Sequence, residues 1–232
     1  MPLLKPVLAA AAAGGGGGIT VKDADSNKRN NNGPTGRDIS LTLDAAAGDV
    51  LLAFTYLDST SASRTFTCSA PTGTTEHFDE GPDTASARAA YSKVLVSGDI
   101  SGGQVTVTCQ TDLNGGQNHG LTAIVLTASG TLSVDVIGTR QTAFNSDSVA
   151  APAITTGQDN DKVVAFASWH QAVTSADAPS QGTLRASHTG SPAGQVCSFV
   201  QATAGSTGTT TLNVTGPGTA EAVGFQMSVT EA

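Results

Sequence analysis

Apolar residues in this chain fall into two patterns, and both are of β type. The first is alternation with polar residues: Ile39, Leu41 and Leu43; Val105, Val107 and Cys109; Leu132, Val134 and Val136. A period of two predicts strands with one face in a core and the other in water. The second is a short, nearly unbroken apolar run, seen at Val50 to Tyr56, Leu121 to Leu126 and Lys162 to Trp169. Runs of this length predict central strands covered on both faces. Thr65 to Ser69 adds a strand, closed by the turn Ala70-Pro71-Thr72-Gly73. Ala87 to Val96 also reads as a strand, bracketed by Ser97-Gly98-Asp99 and Gly102-Gly103. Glu76 to Thr84 and Asp112 to Gly120 read as polar loops.

The pattern repeats. Asp49-Val50-Leu51-Leu52-Ala53-Phe54 returns 112 residues later (position 161 against 49) as Asp161-Lys162-Val163-Val164-Ala165-Phe166. Ser69-Ala-Pro-Thr-Gly-Thr74 is matched by Asp177-Ala-Pro-Ser-Gln-Gly-Thr183. Ser97-Gly98 followed by Val105 to Thr108 is matched by Ala204-Gly205 followed by Leu212 to Thr215, and Leu121 to Leu126 by Val223 to Val229. Correspondences in one order predict a duplicated set of strands, with a linker containing Pro152 before the second echo. The expected fold is an all-β, two-sheet antiparallel sandwich of jelly-roll or Greek-key type, built from halves at about 37–130 and 131–232. Leu51/Leu52 and Val163/Val164 should be buried at corresponding places. Two separate small sandwiches are the competing arrangement; the short connection from Ser129 to Leu132 speaks against them.

Residues 1–36 form a separate N-terminal arm in this reading. Its apolar stretch followed by alanines looks like a leader, but Pro6 interrupts it. The Ala/Gly tract that follows has little intrinsic order. An assembly arm is the expectation, with Leu3, Leu4, Val7, Leu8, Gly14 and Gly18 as candidate contacts. Ile19 to Lys22 could form one short strand. Asp23, Asp25 and Asn27 open like a calcium loop, but Lys28 and Pro34 stand where that loop needs glycine and glutamate.

Composition narrows the function. Hydrophobic residues are 38% of the 232, aromatics 4% and charged residues only 13%, which implies a thin core and a surface of hydroxyls and amides. The net charge is −8 and the largest basic cluster is Lys28-Arg29, so a nucleic-acid partner is not expected. No apolar run reaches the roughly 18 residues of a spanning helix, and no membrane partner is expected. Cys68, Cys109 and Cys197 form no CxxC pair, so no zinc site and no cofactor is predicted. All three alternate with apolar neighbours. Buried free thiols, or a Cys68–Cys109 disulfide that leaves Cys197 unpaired, both fit.

The run Gly48-Asp-Val-Leu-Leu-Ala-Phe54, the Ala-Pro-x-Gly-Thr turn, Ala204-Gly-Ser-Thr-Gly-Thr209 and the final apolar strand together resemble β-sandwich proteins of tailed-phage virions, of the decoration and minor tail type. The resemblance covers roughly Ile39 to Val229. It implies a non-enzymatic virion structural protein whose partners are capsid or tail subunits. It also implies self-association, with a trimer as the expected state. The arm would gain its order from contact area formed on assembly.

Candidate chemistry is sparse. Glu76-His77-Phe78-Asp79-Glu80 is the densest titratable stretch, and a solvated loop is the plainer account of it. Trp169 and His170 could stack on a sugar if exposed, which makes a carbohydrate-binding, host-adhesion module the alternative function; Trp169 plugging the end of the sandwich is the plainer account there. A polysaccharide-cleaving enzyme would need paired carboxylates in a cleft, and no nucleophile-elbow or phosphate-loop motif is present. No catalytic residue is assigned.

Overall fold

The structure, a computed structural model, describes residues 18–29, 38–57, 65–80, 87–111, 118–144, 146–216 and 221–232. The first half holds β1 (Thr20–Arg29), β2 (Ile39–Asp44), β3 (Val50–Leu57), β4 (Phe66–Ala70), β5 (Thr75–Glu80), β6 (Arg88–Val94), β7 (Ile100–Ser101), β8 (Gln104–Thr111) and β9 (His119–Thr127). One antiparallel sheet has the order β1-β9-β3-β6-β5; a smaller one has the order β2-β8-β4, with β7 on its β8 edge. A single 3₁₀ turn at Ser97–Asp99 is the only helical segment among the described residues.

The second half holds β10 (Leu132–Ile137), β11 (Gln141–Phe144), β12 (Ser148–Ala151), β13 (Thr155–Thr156), β14 (Asp161–Trp169), β15 (Ser175–Ala176), β16 (Thr183–His188), β17 (Ala193–Gln201), β18 (Gly205–Ser206), β19 (Thr210–Thr215) and β20 (Glu221–Glu231). Its large sheet runs β10-β20-β14-β17-β16, and its small sheet β12-β19-β15. Strand for strand, this is the order of the first half. The register agrees as well: Phe54 lies opposite Ala90 and Thr122, and Phe166 opposite Val196 and Phe225.

The expected antiparallel β-sandwich of two similar halves is therefore what the chain forms, and its layering goes one step further. Each half has its own large and small sheet, to which the second half adds the two-stranded β13–β18, and the two large sheets stack on each other. Odd residues of β3 (Leu51, Ala53, Leu57) enter a core beneath β2, β8 and β4. Even residues (Val50, Leu52, Phe54, Tyr56) enter a middle core shared with Val164, Phe166, Phe225 and Met227 of the second half. Ala165, Ala167 and Trp169 of β14 face a third core under β12 and β19. This is why β3 and β14 are buried along their whole length. Leu51, Leu52, Val163 and Val164 are all at most 1% exposed, at corresponding places.

The halves meet as subunits meet across a two-fold axis. Corresponding residues Phe54 and Phe166 touch each other, with ring centroids 6.0 Å apart. At one end of the seam β1 packs on β16. At the other end Arg140, just after β10, sits over Phe78 of β5, the counterparts of β1 and β16. Such self-complementary contact is the geometry of an isologous dimer, here within one chain.

Three expectations need correction. The sandwich starts at Ile19, buried in the middle core, and not at residue 37; β1 carries Asp23, Asp25 and Asn27 as extended backbone paired to β9. Glu76 to Glu80 is strand β5 rather than loop; its partner β6 supplies the hydrogen bonds that its polar side chains do not advertise. The stretch around Pro152 is more than a linker, since Ser148–Ala151 is the counterpart of β2.

Candidate functional site

The side chains with chemical potential gather at the seam between the halves. At the β1–β16 end, Ser26 Oγ lies 2.6 Å from both Thr122 Oγ1 and His188 Nδ1, and Tyr56 Oη lies 2.9 Å from Thr122 Oγ1. His188 Nε2 is 3.0 Å from the Pro192 carbonyl. A carbonyl only accepts, so Nε2 carries the proton and Nδ1 is the acceptor. The chain of donors then has one direction: Tyr56 to Thr122, Thr122 to Ser26, Ser26 to His188, His188 to Pro192. The His188 ring stacks on Tyr56 at 5.8 Å.

Packing explains how the network fits. A Cβ at Gly120 or Gly194 would overlap Tyr56, so these two glycines cut the slot in which the phenol lies. Burial pushes the His188 imidazole down to about 4, with Lys28 acting in the same sense and the Pro192 bond against it. Burial likewise raises the Tyr56 phenol, over the opposing effect of its bonds to Thr122 and Ser26. A neutral histidine next to a serine hydroxyl is the start of a nucleophilic site. Here that hydroxyl sits inside a hydrogen-bonded relay, and the relay joins β1, β3 and β9 to β16. Its chemistry is that of a cross-brace.

Farther along the seam, Arg88 of β6 and Glu221 of β20 form an ion pair at 2.6 Å, with side chains 5% and 3% exposed. A pair this buried needs mutual charge and further bonds to offset desolvation. At the opposite end from the His188 relay, a cleft of about 490 Å³ opens between His77 and Phe78 of β5 and the 137–142 turn. The Arg140 guanidinium lies 4.4 Å above the Phe78 ring. His77 Nε2 is 2.7 Å from Ser92 Oγ, and burial lowers its pKa.

The residues singled out from the sequence are scattered. Leu3, Leu4, Val7, Leu8 and Gly14 lie outside the described residues; Gly18 is exposed just before β1. Trp169 is 0% exposed, held in the third core with Ala165, Val173 and Leu212. The ring plugs its own half, as the plainer account has it, and the conditional sugar platform at Trp169 is excluded: an apolar ring at the end of a fully covered strand is enclosed by its own domain. His170 is bonded through its backbone, its N–H to the Glu221 carbonyl and its carbonyl to the Ser191 hydroxyl. Of the cysteines, Cys68 and Cys109 face each other across β4 and β8 and form a disulfide, and Cys197 is a buried free thiol whose pKa burial pushes up to about 12. Among the described residues no group of three or more His, Cys, Asp or Glu converges on one point.

Sequence reasoning missed the seam. Its partners are up to 162 residues apart, and no local spacing marks them. Glycines inside apolar strands, Gly120 and Gly194, are the one local sign of a close approach. Compared with known proteins, the chain matches no family model and no curated sequence.

Proposed function

We propose that the protein is a non-enzymatic structural protein of a tailed-phage virion. It is a capsid decoration or tail-accessory protein that docks on neighbouring subunits through its N-terminal arm and displays the stacked sandwich. The seam is the observation that supports this reading. Ser26, His188, Tyr56, Arg88 and Glu221, the groups best suited to chemistry, are bonded to each other across the two halves. They stiffen one block of stacked sheets rather than line a substrate cleft. The resemblance of the strand and turn motifs to virion β-sandwich proteins supplies the setting, and the Ala/Gly-rich first 18 residues supply the means of attachment.

The test is to look in the particle. Mass spectrometry and immunogold labelling of purified virions should find the chain at fixed copy number on the particle surface. A chain confined to the soluble fraction of the lysate refutes the proposal. Light scattering on the purified protein should give a multiple of 23.1 kDa, with three copies as the expected number.

A further inference from the structure

The duplication allows each side chain of one half to be compared with its counterpart in the other, and one pair of positions breaks the rule. In the first half β1 carries a bulge at Lys22, between Val21 and Asp23. In the second half β10 carries the same bulge at Asp135, between Val134 and Val136. Both bulge residues face the acid that opens the central strand, Asp49 before β3 and Asp161 in β14. The two acids sit in the same turn. Asp49 accepts a bond from the backbone N–H of Ala46, three residues back, at 2.7 Å. Asp161 faces the backbone N–H of Gln158, also three residues back.

Their partners differ. Asp49 is 4% exposed, and its charge is met by the Lys22 ammonium at 2.9 Å. Asp161 is 1% exposed and meets Asp135, a second carboxylate. Asp161 Oδ2 and the Oγ1 of Thr230, a 7%-exposed residue, find no partner in good hydrogen-bond geometry, while the Thr230 hydroxyl and the Asp135 carboxyl both lie close enough to act on the Asp161 carboxyl. Lys162, the next residue, is not salt-bridged to either acid; the charge that acts on it is Arg185, in the repulsive sense. A buried carboxylate with an acid for a neighbour is costly unless a proton or a cation joins it.

The geometry points to a hard-cation site, suited to calcium, between Asp135 and Asp161, in the place that the Lys22 ammonium takes in the first half. The donors are oxygens only: the two carboxylates and the Thr230 hydroxyl, with water completing the shell. That set selects Ca²⁺ or Mg²⁺ over softer metals. Asp135 is exposed, which gives an entry path from solvent. Few protein ligands and an open side predict weak binding, on the order of 1 mM. Burial and the Asp135 charge raise the Asp161 pKa, and calcium would return it toward the ionised form. The site is independent of the virion assignment.

The test uses the full chain, stripped with EDTA, at pH 7. Thermal unfolding with added CaCl₂ should show saturable stabilisation; at 10 mM and a dissociation constant near 1 mM the folding equilibrium shifts about tenfold. Asp135→Asn should remove the response. Asp135→Lys, which restores the first-half pair, should raise the melting temperature without calcium and abolish the calcium effect. Asp135 is a surface position, so both variants should fold. Absence of a saturable response to calcium or magnesium in the wild-type chain overturns the site. So does a response that survives in Asp135→Asn. Stabilisation of wild type relative to Asp135→Asn on acidification from pH 7 to 5, with no cation effect, shows a shared proton in place of the ion, and also overturns it.

Discussion

Acid should loosen the seam at one histidine. His188 titrates near 6.5 in an unfolded chain and at about 4 in the fold, because burial disfavours its charged form. Above pH 6.5 both states hold it neutral and stability does not depend on it. Between 6.5 and 4 the unfolded chain takes up a proton that the folded chain refuses. Stability therefore falls as pH falls, by about 1.4 kcal/mol per pH unit and about 3 kcal/mol in all. Below 4 the loss levels off. The geometry gives the reason: Nδ1 accepts from Ser26, and protonating it would turn that acceptor into a donor and reverse the relay back to Tyr56. His77, also lowered by burial, adds in the same direction. Asp161, raised by burial and Asp135, acts in the opposite direction. The His188 share is read from a difference. Urea unfolding of wild type and of His188→Gln, at pH 7, 6, 5 and 4, should show the wild type losing about 3 kcal/mol more than the variant over that range. Parallel curves would refute the tautomer and burial argument.

Other perturbations probe the layers one at a time. Replacing Cys68 and Cys109 by serine opens a loop closed across a sequence separation of 41 residues, which should cost about 2–4 kcal/mol in denaturant unfolding; dithiothreitol should reproduce that loss in wild type and leave the variant unchanged. Arg88→Ala removes the opposite charge that Glu221 meets in the seam and should cost about 3–5 kcal/mol, whereas Arg88→Met with Glu221→Leu should recover most of it, as read by calorimetry. Phe54→Ala empties the centre of the middle core, where Phe54 contacts Phe166 and Phe225, at about 3–5 kcal/mol. Hydrogen exchange in that variant should rise in β14 and β20 as well as β3; a change confined to the first half would refute the shared core.

What the sequence revealed depended on how far a residue acts along its own strand. The runs at Val50 to Tyr56 and Lys162 to Trp169 announced doubly covered strands, and the echo announced two halves. Neither run says which sheet covers which face. Leu51 and Leu52 look alike in sequence, yet one faces the outer core and the other the middle core, so a two-sheet and a four-sheet stack share one apolar pattern. Only the start of β1, Ile19 to Lys22, was legible; beyond it the strand lies at a sheet edge against β16, and only Val21 and Ala24 are apolar toward the middle core, while Asp23 accepts from the Asp44 N–H and Ser26 from Thr122. The bulges at Lys22 and Asp135 were invisible for another reason: a bulge belongs to the pairing of two strands, not to either sequence. Trp169 was legible: a tryptophan that ends a doubly covered apolar run reads most plainly as a plug, and the small sheet packed on it encloses it.

The claim that this is an assembly protein is tested most directly by adding the purified chain to particles that lack it. Full-length protein should co-sediment with the particles at saturating, fixed stoichiometry, and a chain lacking residues 1–17 should stay in the supernatant while keeping the melting temperature of the intact protein. Binding that is unaffected by loss of the arm, or no binding by the full chain, would contradict the account.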